Sequence, residues 1–308
     1  MSYTLLYSNF IFAWLNLSEL IMYYRRKILL SLLDAFERKQ SNVNFQKILF
    51  LFTKMQQTPS FYFVPYKFGP FSFQSYQDKR TMTKYKLLSG NSYWEKNNNI
   101  NYFDELTKSD QEILTTVQKK FSGFTNTELI YYVYSNYPEY TINSEIKFKY
   151  PLRKRLIKED NSYNFFTIGY EGHTIDSYVY ILIKNNIKLL CDVRKNPVSM
   201  KYGFSKNQLK NILEKLGIEY LHMPELGIES GKRKNLNTPD DYKRLFADYS
   251  NNILPIKKEY IEQLINIFLE KRRIAITCFE SDYKSCHRHK ITEYLLSQDI
   301  RDYKIEHV

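Results

Sequence analysis

The chain has 308 residues, enough for two domains of ordinary size. With 43% hydrophobic and 25% charged residues it has the balance of a soluble globular protein rather than of a disordered or fibrous one. A net charge of +12 favours polyanionic partners, meaning nucleic acid, nucleotides or an anionic membrane surface, although AT-rich coding also produces such a Lys-rich chain.

Three cysteines, Cys191, Cys278 and Cys286, do not make a disulfide framework, so a reducing cytoplasm is the expected compartment. Residues 1–24 read as an N-terminal extension helix. The apolar stretch 3–24 has the length of a membrane span, but Asn9, Asn16, Ser18 and Glu19 interrupt it, so stable membrane insertion is not expected. Met22 is an alternative start, which would make the first 21 residues an upstream extension.

Residues 25–145 read as a helical domain. "RRKILLSLLDAFERK" is amphipathic, and "NVNFQKILFLFTKM" is a second helix with Asn42 or Asn44 as its cap. Two aromatic runs follow, split by Pro65 and by Gly69-Pro70, which break regular structure. A helix over 73–88 comes next, and "NSYWEKNNNINYF" suits a small hairpin, or wing. Helices over 109–121 and 125–136 complete the half, the latter capped by Thr125 or Asn126. On "KILFLFTK" and "FVPYKFGPFSFQSYQD", with Tyr66, Gly69, Pro70 and Tyr76, this half resembles the Panacea/SocA-like antitoxin domains and the related YwgA-like proteins. The resemblance implies a winged-helix-like binding module rather than a catalyst; read alone, the same aromatics serve equally well as core.

After a charged linker within 144–164, strands and helices alternate over 163–308. The strands are "FFTIGY", "IKLLCDVR", "IEYLHMP", "RRIAITCFE" and "YKIEHV"; a longer basic segment, 227–271, precedes the fourth. This rhythm predicts an α/β fold, a Rossmann-like parallel sheet with helices on both faces.

In such sheets ligands bind outside the carboxyl ends of the strands. Those ends carry Gly169-Tyr170-Glu171-Gly172-His173, then Asp192 and Arg194, then His222, then Cys278 and Glu280. The next helix opens with Cys286-His287-Arg288. At these positions "TIGYEGHTIDSYVYIL", "LLCDVRKNP", "GIEYLHMPELG", "FADY", "ITCFE", "CHRHKI" and "IEHV" resemble the domain of unknown function 488 family, in that family's order over about 165–308. The resemblance implies a Rossmann-like domain acting on nucleotides or nucleic acids. Where that family has a second small residue and a Thr or Ser after the first strand, this chain has Tyr170-Glu171-Gly172-His173.

Three chemistries suit "CFESDYKSCHRHK", residues 278–290. Zinc has its ligand types there, but seven residues separate the cysteines and His287 and His289 diverge by about 200° on a helix, so no metal is expected. Cys286, at a helix N-terminus beside Arg288, has the setting of a nucleophile. The favoured reading is an anion pocket, with Gly169, Tyr170, Arg194, His222, Cys286, His287 and Arg288 as ligand-binding residues and Asp192, Glu280 and Cys286 as catalytic candidates. For Asp192 and Arg194 a structural ion pair is the competing reading, because alternate strand residues share a face. Lys232, Arg233 and Lys234 form a basic loop suited to a nucleic-acid backbone or to solvent.

The expected function is cleavage of a glycosidic or phosphoester bond in a nucleotide or nucleic acid, in a setting such as bacterial defence against foreign DNA. The rival is a non-catalytic DNA-binding or antitoxin-like regulator that senses a nucleotide. No particular cofactor follows from the residues, and a homo-oligomer is compatible with them.

Overall fold

The computed structural model describes residues 22–90, 92–150, 160–233, 236–298 and 303–308. The extension helix and the apolar stretch near the start therefore lie almost wholly outside the described residues, as does Lys234. Among the described residues no helix is long and apolar enough to cross a membrane. The chain divides into two compact units, Met1–Arg153 and Lys154–Val308.

The first unit contains α1 (Tyr24–Ala35), β1 (Lys39–Ser41), α2 (Asn42–Met55), β2 (Val64–Tyr66), β3 (Gly69–Phe71), α3 (Phe73–Lys84), β4 (Tyr93–Glu95), α4 (Lys108–Phe121) and α5 (Asn126–Asn136). Helix α2 is its axis: every residue from Phe45 to Thr53 is buried, as expected of a helix packed on all sides. Its cap is Ser41, whose hydroxyl accepts the Asn44 amide, and not Asn42 or Asn44. Thr125 does cap α5, in a capping box with Glu128. Helix α3 ends at Lys84 rather than near 88, and Lys86 then takes the left-handed φ of 58°.

The expected hairpin within 91–103 does not form; the chain just past β4 instead bridges back to the residues before it, Lys96 opposite Leu88. Strand β4 pairs antiparallel with β1, Trp94 opposite Gln40, and the Trp94 ring stacks on Phe45 of α2 at 4.2 Å. Burial of that indole against the axial helix outweighs a local turn in the Asn-rich stretch. The aromatic run, expected to be irregular, forms the hairpin β2–β3 with Pro65 opposite Pro70. Both strands of a two-stranded sheet are edges, so prolines without an N–H are tolerated. Gly69 sits at φ +90°, and a Cβ there would lie 2.7 Å from Tyr134 Cε1.

Tyr66, Gly69, Pro70 and Tyr76 line a cavity of about 340 Å³ together with Lys47. The Lys47 ammonium donates to the Phe68 carbonyl, and burial pushes its pKa down to about 7. The unfolded chain holds this proton up to about pH 10.4, so stability falls as pH drops from there towards 7 and is flat below. Replacing Lys47 by Met removes the dependence. Urea unfolding of wild type and Lys47→Met should differ most below pH 7, with the variant more stable by roughly 2–5 kcal/mol, and converge near pH 10.5. Parallel pH profiles would contradict the buried, depressed lysine.

The second unit contains β5 (Tyr163–Gly169), α6 (Ile175–Lys184), β6 (Leu189–Asp192), α7 (Lys206–Glu214), β7 (Glu219–His222), α8 (Pro239–Asp248), α9 (Lys258–Lys271), β8 (Arg273–Cys278), α10 (Arg288–Leu296) and β9 (Tyr303–His307). All five strands are parallel, in the order β7-β6-β8-β5-β9. This is not the strand order of a doubly wound dinucleotide-binding sheet, because β8 lies between β5 and β6.

Helices cover both faces. Tyr178 of α6 donates to the Thr277 hydroxyl at 2.7 Å. The adjacent strand residue, Ile276, points the other way into a core with Ile261, Leu264 and Phe268 of α9 and Ile291 and Leu295 of α10. The loops after β5 and β8, which are neighbouring strands, thus lead to opposite faces. Such a divergence opens a crevice at the carboxyl edge of a parallel sheet.

Candidate functional site

The strand register brings the predicted residues to one edge. Asp192 lies level with His222 on one side and Thr277 on the other, and Gly169 lies level with Cys278. Beyond the strands the ladder continues: the Tyr170 amide donates to the Cys278 carbonyl (3.3 Å) and the Glu171 amide to the Phe279 carbonyl (2.9 Å). At this edge the side chains separate into two clusters with different character.

The first cluster, at the end of β6, is closed. Asp192 is fully buried and accepts from Arg194 Nε (2.8 Å), Arg194 Nη2 (2.5 Å), the Arg194 amide (3.1 Å) and the Tyr220 hydroxyl (2.7 Å). Arg194 Nη1 donates to the Phe204 carbonyl at 2.9 Å, and its guanidinium lies 5.0 Å from the centroid of Tyr170. Tyr170 in turn stacks on Phe204 at 4.5 Å. His222 joins through Nε2, 2.9 Å from the Arg194 carbonyl, with the Lys206 ammonium 3.1 Å from its other nitrogen. Burial, then the charge of Asp192, raises the Tyr220 phenol well above its ordinary value, so it is a fixed donor. Both Asp192 oxygens are committed, and Asp192 and Arg194 form a buried structural ion pair. Tyr220, which completes this network, was legible only as the residue two before His222 on the same strand face.

The second cluster, between β8 and α10, is open. Asp282 caps a 3₁₀ turn over Tyr283–Ser285 by accepting the Lys284 amide, and the Ser281 amide donates to Glu171. This turn takes up the separation between the two cysteines and folds Cys286 back towards Cys278. The sulfurs of Cys278 and Cys286 and a ring nitrogen of His287 lie within 4.8 Å of one another, all buried. His289, the other candidate ligand, instead places Nδ1 against the Cys286 carbonyl at 2.5 Å. A compact turn thus brings the two cysteines together despite their chain spacing, with one imidazole beside them.

His287 Nδ1 is 3.9 Å from Cys278 Sγ, 3.7 Å from Cys286 Sγ and 3.3 Å from Arg233 Nη2, while Nε2 is 3.3 Å from the Val193 carbonyl. A carbonyl only accepts, so the ring proton sits on Nε2 and Nδ1 presents its lone pair to the sulfurs. The two thiols share one titration. A hydrogen bond from Cys286 stabilises the thiolate of Cys278, with the Arg233 charge adding to the effect, whereas burial and the Cys278 charge hold Cys286 protonated. Arg288 is fully buried and donates to the Glu280 carbonyl (2.5 Å) and to Cys286 Sγ (3.4 Å). The Cys286 amide donates to the Tyr283 carbonyl at 3.2 Å and so is not free for a ligand.

A cavity of about 150 Å³ opens here, lined by Glu280, Cys286, His287 and Arg233, with Leu245 and Phe246 of α8 among its apolar walls. Arg233 Nη1 is 3.5 Å from Glu280 Oε1. Glu280 Oε2 is buried and has no hydrogen-bond partner among the described residues. Burial, then the charge of Cys278, raises the Glu280 pKa. Of the basic loop, Arg233 thus turns into the cavity, Lys232 pairs with Asp248 at 2.7 Å, and Lys234 lies outside the described residues.

The second unit is therefore a parallel α/β domain with a strand-end pocket of acid, thiol, imidazole and guanidinium groups. Residues 174–295 match the family described as domain of unknown function DUF488, a span that includes every residue of the two clusters except those at and just after the end of β5. No curated protein and no solved structure matches the chain.

Two substitutions separate the structural roles. At Gly169 an added Cβ would lie 1.8 Å from the Glu280 carbonyl oxygen and 3.0 Å from Arg288 Nη2. Gly169→Ala should cost roughly 2–4 kcal/mol in urea unfolding, since a backbone atom must move. Asp192→Ala should cost roughly 3–5 kcal/mol by leaving Arg194 buried and unpaired. An Asp192→Ala protein as stable as wild type would remove Asp192 from its structural role.

Proposed function

We propose that the chain is an enzyme that cleaves a glycosidic or phosphoester bond in a nucleotide or nucleic acid, at the cavity between β8 and α10. The observation that carries this reading is Glu280: one carboxylate oxygen is buried without a partner and the other faces Arg233, in a cavity at the carboxyl edge of a parallel sheet. A carboxylate with an uncommitted oxygen can take or give a proton at a reacting group, and the guanidinium beside it can hold an anion. The volume of about 150 Å³ equals roughly five waters, room for a phosphate or a pentose but not for a whole nucleotide. In this reading Glu280 is the acid/base and Arg233 the anion-binding group. Cys286 lines the cavity, Asp192 and Arg194 position the strand ends, and Arg288 holds the loop.

The first unit enters the proposal as a winged-helix-like module that binds nucleic acid or a partner. Its support is the chain's net charge of +12 and the cavity lined by Tyr66, Gly69, Pro70 and Tyr76. A cytoplasmic defence against foreign DNA is the setting such a pairing of units would suit.

The test is mass spectrometry of nucleotides and nucleic-acid fragments incubated with the pure full chain, with and without added divalent cations. Wild type should release a product, and Glu280→Gln should reduce turnover about 10²–10⁴-fold while leaving the urea midpoint nearly unchanged. Biological activity retained in Glu280→Gln would favour the nucleotide-sensing regulator instead.

A further inference from the structure

We propose that Cys278, Cys286 and His287 form a binding site for a zinc ion. Two thiolates and an imidazole are ligands for a borderline-soft divalent cation and poor ones for magnesium or calcium. The spacing suits the ion. Tetrahedral zinc, with bonds of about 2.3 Å to sulfur and 2.05 Å to nitrogen, sets its sulfur and nitrogen ligands about 3.6 Å apart. The structure has 3.7 and 3.9 Å from His287 Nδ1 to the two sulfurs. The ring is already oriented as a ligand, because Nε2 faces the Val193 carbonyl and Nδ1 faces the sulfurs. A metal-binding histidine characteristically gives its second N–H to a carbonyl in this way.

Arg233 Nη2, 3.3 Å from Nδ1, is the group that the ion displaces. Arg233 is about one-third exposed and already pairs with Glu280, so it can withdraw from the imidazole without losing its charge partner. Two thiolates neutralise a divalent ion, so Arg233 then faces no excess positive charge. The fourth position is open to water or to Glu280, whose Oε2 is buried and unpartnered. The zinc site does not depend on the nucleotide reading, since occupancy is measured without substrate.

The test is titration of the reduced, metal-stripped full chain with cobalt(II). Thiolate-to-cobalt charge-transfer absorption should saturate at one ion per chain and vanish on adding one equivalent of zinc. It should fall about tenfold or more in Cys278→Ser and Cys286→Ser and persist in Cys191→Ala, whose sulfur lies in the sheet core. Folded wild type without this absorption, or folded serine variants that keep it, would overturn the site. Both sulfurs are buried and the serine variants can misfold, so a second measurement uses wild type alone. Zinc should slow alkylation of Cys278 and Cys286 about tenfold or more relative to Cys191, read by peptide mapping. Equal protection of all three cysteines, or of none, would sink the proposal.

Discussion

Burial of the Arg288 guanidinium organises the edge of the second unit. A buried cation is costly unless its N–H groups find acceptors. Here the acceptors are the Glu280 carbonyl and the Cys286 sulfur, both supplied by the loop between β8 and α10. Opening that loop strands the charge, so the loop stays folded. It can fold this closely only because Gly169, on the neighbouring strand, leaves space that any Cβ would fill. The proximity of Cys278, Cys286, His287 and Glu280 thus follows from one cation's need for partners and one missing side chain.

The two clusters at this edge show how similar residues acquire different roles. Asp192 accepts four hydrogen bonds and is sealed from solvent, so both of its oxygens are committed within the fold. Glu280 meets Arg233 at 3.5 Å and the Cys286 thiol, and its Oε2 has no hydrogen bond among the described residues. An unsatisfied buried acceptor costs on the order of 1–3 kcal/mol, so a ligand group that donates to it is favoured. The link between the clusters is the Val193 carbonyl, one residue past Asp192, which faces His287 Nε2 and so fixes the imidazole tautomer of the open cluster.

The period of the sequence revealed the architecture of the second unit because its central strands are short apolar runs and two of its helices, α6 and α8, begin at a side-chain cap. Thr174, for example, accepts the Ser177 amide at the start of α6. In the first unit one misread element, the expected wing, was fixed by a distant partner. Trp94 finds Phe45 nearly fifty residues away, and no local turn signal encodes that contact. The same limit applied at the site. Convergence of residues at strand ends was legible, since parallel strands share an edge. What spacing could not show was which carboxylate would be saturated. That depends on Tyr220 and on the Phe204 carbonyl, which reach Asp192 and Arg194 from other segments. Nor could helical geometry foresee Cys278 meeting Cys286, because the intervening residues form a tight 3₁₀ turn before α10 starts.

The long connection from β7 to β8 supplies what the sheet edge lacks. It carries Arg233 and two helices, and long connections over a sheet edge commonly serve binding. Its aromatic residues pack on the first turn of α10: Phe246 lies edge-on to His289 at 4.9 Å, and Tyr249 lies edge-on to His287 at 5.5 Å with its hydroxyl tied to the Leu226 carbonyl. Phe246 and Tyr242 line the cavity, and Arg233 brings a guanidinium to it. Beside partly buried groups such as Glu280, charge interactions are screened less than on the open surface. A small anionic group entering beside Arg233 therefore meets a stronger field than the exposed lysines of this basic chain can provide.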